Sequence, residues 1–142
     1  ITLNNFGEEN TDYITRDDIE RCITDRDIEY LITRIHLDPD HPENHNIKLQ
    51  NKRAGLVKIY NKNVWKTKYI SDKEDNILFE MYERLMNCIS DIVNLPYFEK
   101  YDNDLEWKEN YDYMTAMELF EEYYKIKDLL CLLQKHKKYK TS

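Results

Sequence analysis

A chain of 142 residues with 41% apolar side chains has enough material for one domain around one core. Its 2 Gly and 3 Pro are too few for a loop-dominated or all-β fold, and no apolar run approaches the roughly 18 residues of a membrane span, so no membrane partner is expected. A net charge of −7 disfavours long-range attraction of nucleic acid by the molecule as a whole.

The first dozen residues are polar, with Leu3 and Phe6 as apolar anchors and Gly7 at a turn. Thr15 and Asp18 have the spacing of a capping box and predict a helix over about 16–23, with Ile19, Cys22 and Ile23 on one face. Thr24 or Asp25 then caps a second helix, about 26–36, in which Ile28, Leu31, Ile32 and Ile35 follow the helical period. Pro39 and Pro42 stop it.

From Asn46 to Tyr69 the period changes to two, predicting an antiparallel meander with strands at about 46–50, 56–60 and 64–69. Residues 1–45 carry net −8, whereas residues 46–71 carry +7 and no acid, from Lys48, Lys52, Arg53, Lys58, Lys62, Lys66 and Lys68. Most of these lysines alternate with apolar residues, which places a cationic face outward and makes all seven candidate nucleic-acid contacts, with Tyr60, Trp65 and Tyr69 nearby. An internal match, basic strands against acidic helices, is the competing explanation.

Ser71 and Glu74 form a second capping-box pattern ahead of a helix over about 72–94. Another helix is predicted over 97–112, and Thr115 with Glu118 introduces a last one, about 116–136, with Met117, Phe120, Tyr124, Leu130 and Leu133 inward. The expectation is an α+β fold: a small three-stranded meander packed on a bundle of about five helices, in one domain over 1–142 with an N-terminal helical part at 1–45, the meander at 46–70 and a helical part at 71–142. Cys22, Cys88 and Cys131 each fall on an apolar stripe, and the chain has no CxxC, which suggests reduced core thiols and an intracellular location. The chain does not start with Met, as expected of a piece of a longer protein.

Three segments are more distinctive: LNNFGEENTDYIT from Leu3, IHLDPDHPENHNI from Ile35 and NKRAGLVKIYNKNVW from Asn51. In this order they resemble, over about residues 1–95, the C-terminal domain of a protein family of giant nucleocytoplasmic DNA viruses that often carries an upstream C2H2-type zinc finger and a coiled coil. Asn4, Gly7 and Glu9 match the first motif, and His41, Pro42, Glu43, Asn44, His45 and Asn46 the second. The resemblance implies a setting on viral DNA, in the virus factory of the host cytoplasm or in the nucleus. It assigns no activity, and the zinc-finger spacing is absent from this chain.

His36, His41 and His45 among Asp38, Asp40, Glu43, Asn44 and Asn46 form the one chemically rich cluster. The histidine spacing matches no zinc site, so no metal ligand is assigned. A nuclease of the HNH type would use His41, Asn44 and His45 with a divalent metal, but the following helix offers no further histidine. Otherwise the stretch is a rigid loop built on Asx turns, or a binding loop. No phosphate-binding glycine loop or nucleophile elbow occurs. The leading expectation is a non-enzymatic binding and assembly module without cofactor, whose partners are viral DNA, another protein or a second copy; the metal-dependent nuclease is the alternative.

Overall fold

The change from helical to strand period along the chain yields an α+β fold in the computed structural model, which describes residues 2–93 and 120–140. Helix α1 (Arg16–Thr24) begins at the expected capping box: the Thr15 hydroxyl accepts from the Asp18 N–H and the Asp18 carboxylate accepts from the Thr15 N–H. Ile19, Cys22 and Ile23 are its buried face. Helix α2 (Ile28–His36) is capped later in the chain than Thr24 or Asp25 would place it. Asp25 closes α1, Arg26 takes a left-handed conformation with φ 56°, and Asp27 accepts from the Tyr30 N–H. The apolar set Ile28, Leu31, Ile32 and Ile35 is buried as the period requires.

The prolines end α2, and a 3-10 turn over Pro42–Asn44 feeds β1 (Ile47–Asn51), β2 (Leu56–Asn61) and β3 (Val64–Tyr69), in sheet order β1-β2-β3. Lys62 and Asn63, with φ 49° and 67°, make the tight β2–β3 turn. Ile47, Leu49, Val57 and Ile59 point inward and join the helices' core. Lys48 and Lys58 point outward, directly opposite each other.

Strand β3 corrects part of the alternation argument. Lys66 pairs with Ile59 and Lys68 with Val57, so both share the inward parity, while Trp65 and Tyr69 share the outward one. Both lysines lie on the sheet's edge strand, Lys66 exposed and Lys68 half-buried against Asp75 at 2.9 Å.

Helix α3 (Ile77–Val93) starts later than Ser71 and Glu74 suggested. Asp72 accepts from the Glu74 N–H in a local turn, and Asn76 supplies the cap, accepting from the Phe79 N–H. The expected helix at 97–112 and the Thr115–Glu118 cap lie outside the described residues. Where one helix over 116–136 was expected, residues 120–123 are helical, the chain breaks at Tyr124 and Lys125, and α4 (Ile126–Lys140) begins anew. The Lys125 N–H donates to Asp128, a capping contact that shifts the helical phase. Among the described residues of this stretch Phe120, Tyr124, Leu129, Leu132 and Leu133 are therefore the buried set and Leu130 is only half-buried, while Met117 lies outside the described residues. Cys22 and Cys88 are buried free thiols, and Cys131 is exposed, against the reading of all three as core residues. No helix among the described residues is long and apolar enough to cross a membrane.

Asp18 also ties α1 to α2, accepting from the Tyr30 hydroxyl at 2.6 Å. Burial disfavours its charge, but the hydrogen bonds from Tyr30 and Thr15 and the Arg34 guanidinium outweigh burial and hold its pKa below the ordinary carboxylate value. A depressed folded pKa gives stability that is present above the unfolded value, about 4, and is lost as pH falls through the folded one. Asp18→Asn is expected to cost about 1–3 kcal/mol at pH 7. In urea titrations across pH 7 to 3, the gap between variant and wild type should close at the acid end.

Candidate functional site

The histidine and asparagine motif folds into a buried hydrogen-bond knot. Asn44 is fully buried. Its Oδ1 accepts from Asn4 Nδ2 at 2.9 Å and the Asn10 N–H at 3.0 Å, and its Nδ2 donates to the Asn10 carbonyl at 2.7 Å and to the Tyr13 hydroxyl at 3.2 Å. Tyr13 in turn donates to the Arg34 carbonyl at 2.6 Å. Burial pushes the Tyr13 pKa up to about 12, so the phenol keeps the proton that this bond needs.

Asn46, also fully buried, works in the same way two residues on. Its Nδ2 donates to Glu9 Oε2 at 2.6 Å and to the Asn4 and Asn5 carbonyls, and its Oδ1 lies 3.0 Å from Nδ1 of the buried His36. Glu9 Oε2 also accepts from the Gly7 N–H at 2.7 Å, and Gly7 has φ 94°, a conformation suited to glycine. From the opposite side Arg84 of α3 donates to the Glu9 carbonyl and to Thr11, with its Nε 3.5 Å from Glu9 Oε1. Asn4, Gly7, Glu9, Asn44 and Asn46 thus act together, joining the N-terminal segment to the loop before β1.

The three nuclease candidates diverge instead of converging on one exposed point. Asn44 has no amide group left to orient a histidine. His41 stacks on Tyr13, with ring centroids 3.4 Å apart, and places Nδ1 3.0 Å from Glu43. His45 places Nε2 2.7 Å from the Asp38 carbonyl, which can only accept, so that nitrogen carries hydrogen; its ring meets His136 edge-on at 5.8 Å. Among the described residues no group of three or more His, Cys, Asp or Glu is placed to hold a metal ion.

The basic segment is distributed more widely than the alternation suggested. Lys48 and Lys58 stand on the outer face, Lys52 and Arg53 in the β1–β2 turn, Lys62 in the β2–β3 turn, and Lys66 and Lys68 on the inward parity of edge strand β3. Lys68 alone of the seven has an ion-pair partner among the described residues. On the outer face Tyr60 pairs with Trp65, their rings edge to face at 5.5 Å, and Lys48 Nζ lies 4.1 Å from the Trp65 ring centroid. Thr67 and Gln50 share a 2.7 Å hydrogen bond across the same surface, and Tyr69 is 58% exposed at its end. Two like charges directly opposite across strands destabilise the pairing by something on the order of 0.2–1 kcal/mol, a cost that an anion between them removes.

Sequence reasoning found the asparagines and lysines but not Arg84, Asn10 or Tyr13. Arg84 reads as one more polar position of an amphipathic helix, and the others as loop residues; only the meeting of distant segments assigns them a role. Asn44→Asp keeps the shape of the side chain but removes its donors and brings charge into the knot. It is expected to cost about 2–4 kcal/mol in chemical denaturation and to speed amide exchange over residues 3–14 more than in α3. Neither a protein-family model, nor a curated protein, nor a solved structure matches this chain.

Proposed function

We propose that this domain is a non-enzymatic binding and assembly module that grips single-stranded nucleic acid through the outer face of its sheet. The observation that carries the reading is the opposed pair Lys48 and Lys58, without acidic partners among the described residues and flanked by Tyr60, Trp65 and Tyr69. Ammonium groups neutralise phosphates while aromatic rings stack on bases whatever their identity, the combination used by single-strand binders. On the resemblance of residues 1–95, the strand bound would be viral DNA.

The metal-dependent nuclease has less support, because Asn44 is committed to the fold by four hydrogen bonds. Nicking of supercoiled plasmid with Mg²⁺ or Mn²⁺ that is lost in His45→Ala would favour it over the binding module.

Fluorescence anisotropy with a labelled single-stranded oligonucleotide tests the binding reading. Affinity should fall with salt, and Lys48→Glu with Lys58→Glu should lower the log–log slope by about 1.4, from about 0.7 per phosphate contact. Trp65→Ala should weaken binding by about 1–3 kcal/mol. Lys68→Glu, at the edge and already paired, should change little. Binding that ignores the double substitution would sink the proposal.

A further inference from the structure

Strand β3 ends the sheet on the side away from β1, and its outer edge carries backbone groups with no partner among the described residues. The ladder shows which groups these are. The Ile70 N–H donates to the Gly55 carbonyl at 2.8 Å, and the Tyr60 N–H donates to Asn46, away from β3. The bonds to β2 therefore fall on Val64, Lys66 and Lys68, opposite Asn61, Ile59 and Val57. Trp65, Thr67 and Tyr69 turn their N–H and C=O groups off the edge. The Tyr69 carbonyl is taken by the Asp72 N–H at 3.1 Å, which leaves both groups of Trp65 and of Thr67 and the N–H of Tyr69. The β2–β3 register runs without a slip from Leu56 and Tyr69 to Asn61 and Val64, whereas β1 slips after Leu49.

A regular edge is a template for another strand, and proteins block it with proline, a bulge, cover or charge. β3 has no proline and no bulge, and its Val64, Lys66, Thr67 and Tyr69 are exposed. What it has is lysine, and lysine selects the partner. Two copies of β3 paired antiparallel along these edges set odd residues against odd and even against even, so the best-overlapped registers bring Lys66 against Lys66 or against Lys68. Like charges directly opposite disfavour that pairing. A carboxylate in the same place is attracted. Lys66 has no ion-pair partner among the described residues, whereas Lys68 is held by Asp75 at 2.9 Å. Lys66 also falls in a non-hydrogen-bonded pair of an added rung, the kind in which facing side chains come closest. On the other face the added strand runs beside Trp65, half-buried, and the exposed Tyr69, which suit apolar side chains.

We propose that the β3 edge takes an extended acidic segment of a partner protein as a fourth strand, with a carboxylate opposite Lys66 and apolar side chains beside Trp65 and Tyr69. Main-chain hydrogen bonds supply affinity, and alternate side chains supply the choice of partner. The inference goes beyond the nucleic-acid reading and does not need it, because the edge groups lie in the plane of the sheet and Lys48 and Lys58 stand on its face.

The test is amide hydrogen exchange of the whole chain by NMR with a synthetic peptide that alternates glutamate and valine, and with the same peptide carrying lysine for glutamate. The glutamate peptide should slow exchange at Trp65, Thr67 and Tyr69 and leave Val64, Lys66 and Lys68, already bonded to β2, nearly unchanged. Thr67→Pro removes an outward N–H without touching the ladder and should weaken the peptide about tenfold. Thr67→Val loses only the hydroxyl's bond to Gln50 and should bind like wild type. Lys66→Glu, at an exposed position, should weaken the glutamate peptide and admit the lysine one. The proposal is overturned if the odd-numbered amides stay unprotected at saturating peptide, if Thr67→Pro and Lys66→Glu both bind like wild type, or if the two peptides protect equally. Protection that rises with protein concentration in the absence of peptide would replace the partner with a second copy. Protection of the same amides by the oligonucleotide and by no peptide would put nucleic acid on the edge instead. A chain that takes the glutamate peptide but no oligonucleotide keeps this proposal and loses the sheet-face reading.

Discussion

The buried amides of Asn44 and Asn46 are the constraint on which the rest of this structure depends. The segment before α1 has no helix or strand of its own to satisfy its polar groups. It is held because each amide offers donors and an acceptor in one planar group, and each finds complementary backbone and side-chain partners. An aliphatic side chain of similar size would leave those partners buried and unpaired, and a carboxylate would supply no donor. The knot also sets the sheet. Asn46 stands immediately before β1, and its carbonyl takes the Tyr60 N–H, so the anchored loop fixes which residue of β1 meets which residue of β2. A slip by one would turn Lys48 inward and Leu49 outward.

With the register fixed, the placement of charge follows. Among the described residues the outward positions of the three strands carry cations and aromatic rings and no acid, although the whole chain is acidic with a net charge of −7. Screening limits the reach of distant carboxylates to about 8–10 Å at ordinary salt, so a local patch keeps its own sign at contact distance. Lys66 and Lys68 fit a different role, since charged side chains on an edge strand hinder pairing with a second sheet. The other edge is managed by cover: α4 lies along β1 and leaves a cavity between them. The two sheet edges thus divide into a charged one and a sheltered one.

The elements were readable wherever one periodicity ran without competition. The buried faces of α1 and α2 and the three strands follow directly from the spacing of their apolar residues. Helix starts were read less well, because several residues near a boundary can cap and the chain uses the one that suits the preceding turn. Asp27 caps where Thr24 or Asp25 was expected, and Asn76 where Ser71 was. The break at Tyr124 and Lys125 was missed for a similar reason: nothing in a run of good helix formers marks the point where a new cap changes the phase.

Composition and pattern by themselves determined the α+β class, the meander and its concentration of positive charge, because these depend on short-range periodicity and on the local chemistry of side chains. Tertiary structure alone decided that the motif asparagines are internal fasteners, that Lys66 and Lys68 leave the face on which Lys48 and Lys58 remain, and that His45 and His136 share a cavity. Each of these depends on segments tens of residues apart meeting in a particular register, and no local preference of the chain encodes that meeting.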